Sequence, residues 1–132
     1  MRIAQDLIDA IVEHARRDAP NECCGMVASD DGRAVSVHAA ENTAASPFRF
    51  EVDGLELHHT LTAIEDAGHE LGAIYHSHTR SDPYPSQTDV NFAANWPGVE
   101  WIIVGLANGA EPDVRSYLID GGVITEVPVE RG

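Results

Sequence analysis

Lysine is missing: all eight basic residues of this 132-residue chain are arginine, set against 22 acidic residues for a formal net charge of -14. A surface of that sign repels phosphate backbones and anionic headgroups, so neither nucleic acid nor a membrane is expected as a partner, whereas a neutral or basic protein is compatible. A high-salt habitat, a GC-rich genome and an enzyme that escapes modification of its own lysines each account for the absence. Cysteine is scarce as well. Cys23 and Cys24 are adjacent, which makes a disulfide framework within the chain impossible and fits a reducing compartment. No apolar run approaches a membrane span, and Asp6 and Asp9 interrupt the segment where a signal peptide needs an apolar core, so a cytoplasmic location is expected. The chain shows no repeat, linker or low-complexity stretch. At 43% hydrophobic residues it can fill a single core, and residues 1–132 are expected to form one domain.

Periodicity supplies the elements. Ile3, Leu7, Ile8, Ile11, Val12 and Ala15 recur at helical spacing and predict a helix over 4–17, stopped by Asp18-Ala19-Pro20. Two strands, 24–29 and 33–40, flank the turn sequence Asp30-Asp31-Gly32 and read as a hairpin. Phe48-Arg49-Phe50-Glu51 alternates and predicts a short strand. A second helix is expected over 53–67 from Leu55, Leu57, Leu61 and Ile64 behind an Asp53 cap. The apolar run 71–77 predicts a buried strand, 88–95 a short helix, 100–106 a central strand, and 114–119 with 123–127 a closing hairpin around Asp120-Gly121-Gly122. The sum is a single-domain α/β fold with a mostly antiparallel sheet flanked by helices.

One constellation carries chemistry. His76-Ser77-His78 is followed by seven residues, then Ser86, two residues and Asp89, with Glu22 far upstream in Pro20-Asn21-Glu22-Cys23-Cys24-Gly25. Side chains alternate along a strand, so His76 and His78 point the same way, about 6.5 to 7 Å apart along the chain, and both rings reach one zinc ion. Ser77 faces the other side and serves packing or hydrogen bonding. Ser86 and Asp89, three apart at the start of a helix after Pro85, share one side of its first turn, so Asp89 can supply a third ligand. Taken alone, Ser86-x-x-Asp89 is also an ordinary variant of the capping box. Two imidazoles and a carboxylate leave a fourth position open, which separates a catalytic zinc site from a closed structural one. Chance assembly of two His, a Ser and an Asp at these offsets is on the order of once per million positions. His14, His38, His58, His59 and His69 show no such geometry. In a hydrolase Glu22 is the general base that such a site needs, although nothing in the sequence brings it near His76. Beside it, a Cys23 or Cys24 thiol within reach of the metal would make activity redox-sensitive.

These residues resemble the JAMM, or MPN-plus, metalloproteases, whose fold is cytidine-deaminase-like. The resemblance implies Zn2+ held by His76, His78 and Asp89, Glu22 as the acid/base, and Ser86 stabilising the tetrahedral intermediate. His14-Ala15-Arg16-Arg17-Asp18, Tyr75 to Thr79, Tyr84-Pro85-Ser86, Thr88-Asp89-Val90 and Arg115-Ser116-Tyr117 are similar to the small bacterial members that release cysteine from a sulfur-carrier protein. The implied substrate is the amide between cysteine and the C-terminal Gly of a ubiquitin-fold carrier with a Gly-Gly tail, held beside a sheet edge. The two prolines of Ser81-Asp82-Pro83-Tyr84-Pro85 would stiffen the loop over that groove. Two other functions compete. One is an isopeptidase that removes a ubiquitin-like modifier from protein lysines, and the other is a non-catalytic MPN scaffold, which the intact ligand set disfavours.

Overall fold

The computed structural model describes residues 1–107 and 111–132. In chain order the elements are β1 (Arg2–Ile3), α1 (Gln5–Asp18), β2 (Cys24–Asp30), β3 (Arg33–Ala40), α2 (Gly54–Asp66), β4 (Glu70–His78), α3 (Gln87–Ala93), β5 (Glu100–Gly105), β6 (Asp113–Asp120), β7 (Val123–Val127) and β8 (Glu130–Arg131). The strands form one sheet in the order β7-β6-β5-β4-β2-β3-β1-β8. Its long pairings are antiparallel, except that β4 and β5 run parallel at the centre. Both expected hairpins form. Asp31 and Gly32 have φ of 52° and 79°, and Gly121 and Gly122 have 57° and 83°, the positive values that a two-residue loop matched to strand twist requires.

Strand alternation divides the core. On one face, Val27, Ala73, Tyr75, Ile102 and Val104 pack against Ile8, Ile11, Val12 and Ala15 of α1. Burying side chains the size of Ile8 and Ile11 contributes about 1.5–3 kcal/mol each. On the other face, Cys24, Ile74, Trp101, Ile103 and Tyr117 gather with Ala93 of α3, and Met26 and Ala28 pack on Ile64 of α2. The sheet is thus sandwiched between α1 and the pair α2 and α3, and the odd and even residues of β4 belong to different cores.

Glycine at position 25 has a steric reason. A Cβ there would lie 2.3 Å from the Tyr75 ring, which sits directly across the β2/β4 pairing.

The expected strand at 48–51 does not form. The segment is a loop whose backbone groups are met by side chains instead of a ladder. Asn42 Nδ2 donates to the Glu22 and Arg49 carbonyls at 2.9 and 3.0 Å, and its Oδ1 accepts from the Ala44 and Glu51 N–H groups, both at 3.0 Å. Phe48 and Phe50 alternate because Phe50 turns inward while Phe48 stays 71% exposed. Strands β1 and β8, two residues each, carry no periodicity and went unseen. Among the described residues, no helix is long and apolar enough to cross a membrane.

Candidate metal centre and active site

The end of β4 and the start of α3 bring His76, His78 and Asp89 together on the α2/α3 face. His76 Nε2 lies 3.2 Å from His78 Nε2 and 3.1 Å from Asp89 Oδ2, and His78 Nε2 lies 3.4 Å from the same oxygen. All three side chains are buried. A tetrahedral ion with bonds of roughly 2.0–2.1 Å spaces its ligand atoms about 3.3–3.4 Å apart. The observed triangle has that size, so the residues present fit zinc. The donor chemistry agrees. His78 Nδ1 donates to the Asp82 carbonyl at 2.9 Å, which in the neutral imidazole leaves the Nε2 lone pair for a metal.

Each histidine is oriented differently. His78 is held by that Asp82 bond, with the His76 ring tilted beside it at 5.0 Å. His76 is held by packing: Phe50 stacks on it at 4.8 Å with an interplanar angle of 29°, and Trp101 meets it edge-on at 6.4 Å. His76 Nδ1 and Trp101 Nε1 are buried without a hydrogen-bond partner among the described residues.

Ser86 and Asp89 form the capping box that their spacing allows. Ser86 caps α3, its Oγ accepting from the Asp89 N–H at 3.2 Å while Asp89 Oδ2 accepts from the Ser86 N–H at 2.9 Å. The capping box therefore fixes the rotamer of Asp89 and aims Oδ2 at the histidines. Burial alone would raise the Asp89 carboxyl, but the adjacent His76 and His78 and the Ser86 N–H hold it well below the usual carboxylate range. For His78 burial opposes charging, yet its bonds to Asp89 and to the Asp82 carbonyl outweigh it and raise the imidazole above its ordinary value.

Glu22 arrives from the partner strand. Cys24 pairs with His76, and the Cys23 carbonyl accepts from the Ser77 N–H at 3.3 Å, so the next residue, Glu22, falls opposite His78. Its carboxylate and the two imidazoles lie within 4.8 Å of one another. Two carboxylates thus face the histidine pair, and Asp89 is the nearer. Burial pushes Glu22 up to about 7, with His78 opposing and Asp89 adding to the shift. A carboxylate poised near neutrality suits proton transfer in both directions.

Ser77 faces α1, where its Oγ accepts from the Cys23 N–H at 2.9 Å and locks the β2/β4 end that carries Glu22. Neither cysteine is a reactive thiolate. Both are fully buried, and burial pushes both thiols up to about 12, which removes the physical basis for redox sensitivity.

Several supporting residues gave no signal in the sequence. Asn42 and Phe50 have no motif, and Asp82 acts through its backbone. The proline loop is pinned from below: Tyr117 Oη donates to the Pro83 carbonyl at 2.5 Å, and a Cβ on Gly105 would meet Pro83 at 2.8 Å. A cleft of about 220 Å³ is lined by Glu22, Pro47–Phe50, His78, Arg80, Ser81, Ser86, Thr88, Asp89 and Phe92.

Residues 4–120 match the family described as prokaryotic homologs of the JAB domain. The chain is 39% identical over 129 residues to the CysO-cysteine peptidase of Mycobacterium tuberculosis, covering 96% of this chain and 88% of the relative. It is 43% identical over 110 residues to the desampylase of Haloferax volcanii, covering 78% of each. A JAB1/MPN domain protein from Archaeoglobus fulgidus superposes with a TM-score of 0.67 at 19% identity, over 99% of this chain and 98% of that one, which speaks to the fold alone.

Proposed function

The chain belongs to the prokaryotic JAB-domain family, a family with peptidase and desampylase members, and from that premise we propose that it is a zinc hydrolase that cleaves the amide between cysteine and the C-terminal glycine of a ubiquitin-fold carrier. The observation that carries this reading is the convergence of His76 Nε2, His78 Nε2 and Asp89 Oδ2 at 3.1–3.4 Å with Glu22 opposite. His76, His78 and Asp89 would hold the ion. When bound, it supplies Lewis-acid polarisation of the scissile carbonyl and makes water a stronger nucleophile.

The remaining work falls to the protein. Glu22 takes a proton from the attacking water as oxygen adds to the glycyl carbonyl carbon. Ser86 Oγ already accepts from the Asp89 N–H, so its own O–H is available to donate to the developing oxyanion. As the C–N bond breaks, Glu22 gives its proton to the leaving nitrogen. The products are a carrier with a free glycine carboxylate and free cysteine.

The long alignment with the CysO-cysteine peptidase favours cysteine as the leaving group. The higher identity to the desampylase supports the second reading, removal of a ubiquitin-like modifier from lysine side chains. The lysine-free composition fits that reading too, since such an enzyme would escape tagging. A mass-spectrometric assay of two purified carrier adducts, one ending in glycyl-cysteine and one joined to a lysine side chain, decides between them. Zinc-loaded enzyme is expected to cut the cysteine adduct, with the cut lost in Glu22→Ala. Cleavage of the lysine adduct alone would move the chain to modifier removal, and cleavage of neither, with zinc bound, would point to a scaffold or to a different substrate.

A further inference from the structure

The cleft at the metal ligands is lined by two guanidinium groups, in a chain with a net charge of -14. They are not equivalent. Arg49 is paired with Glu51 by a short hydrogen bond. Arg80 has no carboxylate partner among the described residues; its Cζ lies 5.6 Å from the centroid of the Phe48 ring. Stacked on that face, a guanidinium keeps its in-plane N–H donors for a ligand.

Its position is tied to the site. Arg80 follows the ligand His78 by two residues, and the intervening Thr79 donates from Oγ1 to the Pro20 carbonyl at 2.9 Å and reaches the Pro47 carbonyl at 3.4 Å. Those contacts join the Arg80 segment to the chain leading into Glu22 and to the loop that carries Phe48. Arg80 is therefore a cation on the cleft wall with no internal carboxylate partner among the described residues, available to an anionic substrate group.

Substrate chemistry supplies such a group, granted the hydrolase reading on which this inference rests. In an amide to a free amino acid, the residue on the nitrogen side bears a carboxylate one carbon from the scissile nitrogen. In an amide to a lysine side chain, an uncharged methylene chain occupies that place. We propose that Arg80, backed by Phe48, receives the α-carboxylate of the leaving amino acid and so selects single amino acid adducts over lysine-linked ones.

The test uses two fluorescent peptides ending in Gly-Gly-Cys, identical except for a C-terminal carboxylate or carboxamide. Their binding to zinc-loaded Glu22→Gln protein, which retains substrate uncut, is measured by anisotropy, with and without Arg80→Gln. The acid is expected to bind about tenfold more tightly than the amide, as a charge-assisted contact implies. Arg80→Gln should bring that ratio to about one and leave the amide's Kd unmoved. The ratio is internal to each protein, so it does not depend on small changes in stability. Equal binding of acid and amide by protein retaining Arg80, or a ratio that survives Arg80→Gln, overturns the proposal. If wild type cuts neither carrier adduct, the hydrolase reading fails separately, while the acid-to-amide ratio still decides the role of Arg80.

Discussion

Both faces of β4 bury a histidine against a carboxylate, and the two clusters use their hydrogen-bonding groups differently. On the α1 face, His14 Nδ1 meets Tyr75 Oη at 2.6 Å and His14 Nε2 meets Asp18 at 3.1 Å. Each ring nitrogen has one partner, and the network is closed. On the opposite face, one residue further along the strand, His76 joins His78 and Asp89 so that two Nε2 atoms and one carboxylate oxygen converge on one point at 3.1–3.4 Å. That spacing is one a shared cation could bridge. Burial and proximity are common to both clusters, so neither marks function. What distinguishes them is whether hydrogen-bonding capacity is used up or aimed at a shared point.

The largest expected effect breaks the reactive side alone. Glu22→Gln should lower hydrolysis by about 10²–10⁴-fold without loss of bound zinc or of thermal stability, as read from turnover, metal content and Tm on one preparation. Ser86→Ala comes next. Loss of an oxyanion donor lowers kcat by about 10²–10³, and loss of the α3 cap costs about 1 kcal/mol, seen together in steady-state kinetics and denaturant unfolding. Tyr75→Phe probes the closed side, since it leaves His14 Nδ1 without its partner. Stability should fall by about 1–3 kcal/mol, with zinc stoichiometry unchanged and kcat within a few-fold of wild type. A large loss of metal in this variant would erase the distinction between the clusters.

The smallest effect is a pH dependence. Burial, partly offset by Asp18, holds the His14 imidazole below its ordinary 6.5. The fold therefore binds this proton less readily than the unfolded chain does. Its stability contribution is complete above about pH 6.5 and drains away as pH falls below that value. His14→Gln should flatten that acid limb, measured as the difference in Tm between the two proteins from pH 5 to 7.5. Groups common to both, His78 included, cancel in the difference.

The legibility of the sequence followed sequence distance. Strand alternation pairs His76 with His78 and helix spacing pairs Ser86 with Asp89, while the short loop between the two elements brings the pairs into contact. Glu22 is placed by the β2/β4 register, a long-range pairing that no local pattern reveals. Phe48-Arg49-Phe50-Glu51 misled because its alternation is genuine but serves a loop, where the Asn42 side chain replaces the ladder. Asp82 was invisible for another reason: its contribution to His78 is a backbone carbonyl, which any residue would supply. In Ser86-x-x-Asp89 the capping box forms, and the same cap turns Asp89 Oδ2 toward His76 and His78.

The central claim is that Asp89, and not the neighbouring Glu22, completes the metal set. Native mass spectrometry of zinc-loaded wild type, Asp89→Asn and Glu22→Gln tests it most directly. The account predicts one zinc ion per chain in wild type and Glu22→Gln, and none in Asp89→Asn. Zinc retained by Asp89→Asn but lost from Glu22→Gln would contradict it and make Glu22 the ligand.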